Sequence, residues 1–145
     1  MSEKQIMTLL GAQTSRGGAV GGRFALADIV SEGLRQSALQ RVMVALELSD
    51  VEIAAVIGMS QKTISRLRKK TEARLGPVPS DRLYRLAALY SLAEDVFDDQ
   101  QVAREWLKTP QPGLNNRIPL DLMNTEVGAR EVENLLGRIE YGVLS

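Results

Sequence analysis

The 145-residue chain contains neither cysteine nor histidine. Those two absences remove disulfides, thiolate nucleophiles, Ser-His-Asp and Cys-His pairs, and zinc sites of the usual ligand types. Most hydrolase mechanisms go with them, and the inventory calls for no metal and no cofactor. No apolar stretch approaches the ~20 residues that a membrane helix requires. Nor does a basic stretch followed by an apolar run mark a signal peptide. The chain therefore reads as a soluble cytoplasmic protein, and the lack of cysteine fits a reducing compartment. What is present is ordinary for a globular protein: 44% hydrophobic and 25% charged residues, enough apolar surface for a core. The length suits one domain, or two small ones that share an interface.

Net charge is zero, yet charge is segregated. Met1–Met59 holds five basic and six acidic residues, Ser60–Arg85 eight basic and two acidic, and Leu86–Ser145 five basic and ten acidic. One concentrated basic block beside an acidic half points to a module that meets polyanion next to one that does not, although a solvated helix face would also hold such charges.

Period-two alternation is almost absent and helical periods run from Phe24 onward, so the fold is expected to be all-α. Five of the 12 glycines fall in Gly11–Gly22. Residues 1–22 accordingly read as a flexible N-terminal arm, to which Met1–Leu10 could add a short strand or a turn of helix. A first helix is expected over Ala25–Leu34, closed near Gly33, and a second capped by Ser37 with Leu39, Val42, Met43 and Leu46 as its buried stripe. Ser49-Asp50 starts a third helix that runs to Ile57, and Ser60 caps a fourth. Pro77–Pro79 reads as a module boundary before a long helix capped by Ser80 or Asp81. Asp98-Asp99 cap another helix whose Val102, Ala103, Trp106 and Leu107 face inward. These adjacent acids read as caps, not as catalytic carboxylates. Pro119 opens a short helical turn, and Thr125 caps a last helix with Val132, Leu135, Leu136, Ile139 and Val143 in register.

Asp50–Leu67 carries the spacing of a helix-turn-helix. Ile53, Ile57, Ile64 and Leu67 are the apolar positions, Ala54 is the small residue at the crossing, Gly58 is the turn, Met59 plugs the corner and Ser60 caps the second helix. A plain helical hairpin would share some of these. In such a motif the second helix enters the major groove. Gln61, Lys62, Ser65 and Arg66 would then face base edges; Gln pairs with adenine, and Lys or Arg with guanine. Arg68, Lys69, Lys70 and Arg74 lie further along and would meet phosphates. A single recognition helix makes few contacts, so a homodimer is expected, with the acidic C-terminal half as its candidate interface.

That half carries a further pattern: Trp106-Leu107, Pro110, Leu114, Pro119-Leu120-Asp121-Leu122, Thr125 and the run GAREVENLLGRIEYGV from Gly128 to Val143. It resembles the toxin-binding domain of the Xre/MbcA/ParS antitoxin family. The upstream VEIAAVIGMSQKTISRLRKK and SDRLYRLAALYSLAEDVF are similar to the same family, so the resemblance runs from about Phe24 to the end. It implies an Xre/Cro-like helix-turn-helix bundle at 23–77 followed by a small helical toxin-binding and dimerisation domain at 78–145. The function implied is that of a type II antitoxin. It would neutralise a RES-domain, NAD-directed toxin by covering its active site, and bind its own promoter.

Carried onto this chain, the resemblance makes Arg117, Arg138, Glu140, Tyr141, Val143, Leu144 and Ser145 toxin-facing, and Gln61, Lys62 and Arg66 base-contacting. Tyr141 also stands out physically as an aromatic near the chain end. The alternative is a stand-alone homodimeric repressor whose C-terminal domain only dimerises. Two departures bear on the expectation. Asn115-Asn116 stand where glycines are common in the family, although Asn tolerates left-handed backbone. Asp50 occupies the start of the first motif helix, where related repressors often place a Gln that helps hold phosphate.

Overall fold

The computed structural model describes residues 3–11 and 24–142, and every regular element among them is helical. The all-α expectation holds. The helices are α1 (Glu3–Leu10), α2 (Ala25–Glu32), α3 (Gln36–Leu46), α4 (Asp50–Ile57), α5 (Gln61–Arg68), α6 (Pro77–Phe97), α7 (Gln100–Lys108) and α8 (Glu126–Glu140). Two 3-10 turns, Pro112–Leu114 and Pro119–Leu122, lie between α7 and α8.

Local chemistry explains most of the boundaries. Ser49 and Glu52 form a reciprocal capping box at the start of α4, each side chain accepting from the other's backbone N–H at 3.2 and 2.9 Å. Ser60, Asp99 and Thr125 cap α5, α7 and α8 by accepting from Thr63, Val102 and Gly128 N–H at 3.1, 2.9 and 3.0 Å. Asp98, expected to help cap α7, instead closes α6 in left-handed backbone.

Three expectations are corrected. The second helix begins at Gln36 without a side-chain cap, so Ser37 lies inside it. Helix α6 begins at Pro77, whose fixed φ suits the first helical position and whose missing N–H costs nothing there. Ser80 is therefore no cap. It is fully buried, accepts from Leu34 N–H at 2.8 Å and ties the start of α6 to the end of α2. Third, Glu3–Leu10, read as part of a flexible arm with at most a short strand or a turn of helix, forms two turns of helix that place Ile6, Met7 and Leu10 in the core against α3 and α6. Arg41 holds the end of α1 by donating to the carbonyls of Thr8 and Leu9 at 3.0 and 3.2 Å. The glycine-rich stretch that suggested the arm falls mostly outside the described residues.

One apolar core runs through the whole set, from Ile6 on α1 to Leu136 on α8. Its axis is α6, whose Leu83, Leu86, Ala87, Tyr90 and Ala93 are buried and which packs against α1, α2, α3, α4, α7 and α8. The helices before and after α6 are also tied directly. Lys108 donates to the carbonyl of Glu47 and Arg104 to that of Ala45 at 3.3 Å, two cations on the C-terminal end of α3.

Candidate functional site

Helices α4 and α5 meet in the geometry that the spacing of Asp50–Leu67 predicts. Ile53, Ile57 and Ile64 are wholly buried, Ala54 nearly so, and Met59 and Leu67 pack partly buried against the core. Gly58 ends α4 with φ +72°, in left-handed backbone that disfavours any side chain. The Arg82 guanidinium of α6 lies over it, where a Cβ would stand.

With Ile64 turned inward, Gln61, Lys62, Ser65 and Arg66 form an exposed rank on α5, followed by exposed Lys69 and Lys70 beyond its end. None of these six side chains makes a hydrogen bond or ion pair with another described residue. Two other cations expected to meet phosphate are engaged by the protein itself. Arg68 forms a bidentate ion pair with Asp50, one arm at 3.0 Å, and its Nε donates to Gln40 at 3.3 Å. Arg74 donates to the carbonyl of Gly33 at 2.9 Å. The pairing holds the Asp50 carboxyl below its ordinary value of 3.8, chiefly through the Arg68 hydrogen bonds, and raises the Arg68 guanidinium in turn. Sequence reading missed this pair because the two residues lie 18 apart and come together only when α4 and α5 cross.

Of the residues expected to face a partner, Arg138, Glu140 and Tyr141 share the C-terminal end of α8. Tyr141 is 79% exposed, Glu140 is exposed and Arg138 half-buried, with its Nε enclosed and unpartnered among the described residues. Arg117 is exposed and closes the loop that starts at Gln111, whose backbone N–H donates to the Arg117 carbonyl at 3.1 Å. Asn115 and Asn116 occupy left-handed backbone inside that loop, φ 55° and 61°, so asparagine takes the conformation that glycine would give. The Pro112–Leu114 turn packs against α8, which brings the loop to the same helix. Val143, Leu144 and Ser145 lie outside the described residues.

The base of that end is well anchored. Leu135 and Leu136 are buried, Trp106 and Ile139 are half-buried, and the Trp106 ring lies 5.6 Å from that of Phe97 at a 45° tilt. Val102, expected inside, is 43% exposed. Gly128 is required sterically, since a Cβ there would strike the carbonyl oxygen of Leu122. Among the described residues no three acidic side chains converge where a metal could sit.

A helix-turn-helix whose second helix keeps one face exposed, joined through one long helix to a small helical unit with an exposed end, defines a two-part class of all-α proteins. Residues 25–88 match the antitoxin Xre-like helix-turn-helix domain, and residues 92–142 match the antitoxin Xre/MbcA/ParS C-terminal toxin-binding domain. The chain belongs to this antitoxin family. It is 32% identical over 121 residues to antitoxin Xre of Yersinia enterocolitica, covering 83% of this chain and 81% of the relative. Antitoxin Xre of Photorhabdus laumondii is 30% identical over 118 residues, 81% of this chain and 79% of the relative. A Sphingobium protein named Prs ADP-ribosylating antitoxin is 25% identical over 126 residues, 81% and 79% of the two chains. The seam between the two matched domains falls within α6.

Proposed function

We propose that this antitoxin neutralises a RES-domain toxin, one that attacks NAD or uses it to modify a target, by covering the toxin's active site with its C-terminal end. In the same reading it binds its own promoter as a homodimer through α5. The observation that carries the DNA activity is the exposed rank Gln61, Lys62, Ser65 and Arg66, residue types that suit base edges on a helix whose opposite side is buried at Ile64. Lys69 and Lys70 extend the same surface with charge suited to phosphates.

Toxin binding is assigned to Arg117, Arg138, Glu140 and Tyr141, with Val143, Leu144 and Ser145 completing the end. The exposed Tyr141 ring offers area at low entropy cost, and it stands next to a helix rooted in the core. The name of the Sphingobium relative supports NAD as the toxin's chemistry, because ADP-ribose is drawn from it.

Co-expression with the product of the adjacent reading frame tests the toxin reading. A stoichiometric complex in which the partner loses its NAD-consuming activity is expected; a homodimer that pairs with no neighbour and rescues no growth would favour a repressor acting alone. For the DNA reading, Arg66→Ala is expected to weaken promoter binding by about 1–3 kcal/mol while neutralisation stays intact. Simultaneous loss of both activities would make Arg66 a fold residue.

A further inference from the structure

Asp50 begins the helix that, in a helix-turn-helix, crosses the nucleic-acid backbone. The first turn of such a helix ordinarily favours a phosphate through its free N–H groups. In this chain that turn already holds two carboxylates. Glu52 accepts from Ser49 N–H, and Asp50 accepts two hydrogen bonds from Arg68 at the far end of α5. The ion pair lies at the surface, the Arg68 and Asp50 side chains being 39% and 32% exposed. The Oε1 of Gln40 on α3 accepts from the Nε–H of the same guanidinium, so the plane of Arg68 is held by two partners. Guanidinium bound through two parallel N–H groups is the arrangement that also recognises phosphate.

We propose that Asp50 is an affinity-setting residue of the DNA-binding surface: its carboxylate stands in for a backbone phosphate and holds Arg68 away from DNA in the free protein. The inference rests on the DNA-binding reading above and adds to it a built-in brake. An exposed pair of this kind is weak, so phosphate can compete for Arg68. Doing so leaves the Asp50 charge facing the DNA backbone. The free protein thereby holds one of its basic residues internally, and binding to the promoter and to any other duplex is lowered by the same amount. The brake acts equally on every sequence because phosphates carry no sequence information.

The test is fluorescence anisotropy with two labelled duplexes, one spanning the region upstream of the protein's own gene and one of scrambled sequence, over a range of salt concentrations. Asp50→Asn is expected to tighten both duplexes on the order of tenfold and to steepen the salt dependence by about 0.9 in log–log slope, the signature of one more phosphate contact in B-DNA. Adding Arg68→Gln to Asp50→Asn should cancel the gain and the added slope. Circular-dichroism melts check that each variant is folded.

Unchanged or weaker binding by folded Asp50→Asn overturns the proposal, as does a gain that survives Arg68→Gln, since simple relief of repulsion would then explain it. If the wild type binds neither duplex and Asp50→Asn binds neither as well, the DNA-binding reading falls and this inference with it. Binding by the wild type that Arg66→Ala weakens, without any response to Asp50, removes this inference alone.

Discussion

Individual side chains in this protein are placed by short-range chemistry where they cap helices and by long-range crossing where they pair. Ser49, Ser60, Asp99 and Thr125 each stand one residue before a helix and accept from the residue three further on, so the local sequence is enough to find them. Ser37 and Ser80 carry the same chemistry and cap nothing, because the residues before them are already helical. Asp50 and Arg68 show the opposite case. Each reads locally as a free surface charge, and only the crossing of α4 and α5 joins them.

That pair yields a prediction at the same scale. Because Arg68 favours the charged carboxylate, Asp50 should titrate below its ordinary value of 3.8 in a carboxyl-detected NMR titration, and Arg68→Gln should return it toward that value. The sign for stability follows from a folded-state value that is depressed: the pair contributes above the unfolded-state value and is lost as pH falls through the folded one. An Asp50 midpoint unaffected by Arg68→Gln would mean that the pair does not persist in solution.

At the scale of elements, apolar period located six of the eight helices among the described residues well, and α1 and α6 are where composition misled. The glycines from Gly11 onward made residues 1–22 read as an arm with at most a short strand or a turn of helix at Met1–Leu10, yet Ile6, Met7 and Leu10 are spaced to place one side of a two-turn helix against α3 and α6. A helix of eight residues has little stability of its own, so its existence depends on the surface that receives it. Leu10→Ala is accordingly expected to destabilise the protein by about 2–4 kcal/mol in urea unfolding, as for a buried leucine. A change within about 0.5 kcal/mol, the usual size for a surface position, would show that α1 does not dock. For α6 the prolines were read as a break, whereas Pro77 at the first position starts the helix and Ser80 fastens it to Leu34.

Across the whole molecule, the helix-turn-helix and the toxin-binding domain share α6 and one continuous core. Arg104 and Lys108 add direct ties from α7 to the end of α3. Thermal unfolding should therefore be a single transition, with the near-ultraviolet signal of Trp106 in the second half coinciding with the far-ultraviolet signal of all helices. Two separated transitions would contradict the shared core. The same architecture shapes a truncation test of the C-terminal end proposed to face the toxin. Ile139 packs against the core, so a cut that removes it mixes folding with binding, whereas removing Tyr141–Ser145 begins at the exposed residue after α8. Loss of toxin neutralisation with an unchanged melt is the expected result.

The order of amino acids was by itself sufficient for the all-α class, the helix-turn-helix at Asp50–Leu67 and the family of the C-terminal half. Each depends on helical period, on capping residues at fixed offsets or on a contiguous run, all local properties of the chain. Tertiary structure alone decided that Glu3–Leu10 is part of the core and that two domains share one central helix. It also separated the cations, pairing Arg68 and Arg74 with the protein while Arg66, Lys69 and Lys70 stay free of the other described residues. Those outcomes turn on which surfaces meet across tens of residues, where burial and ion pairing act between groups that no local window contains.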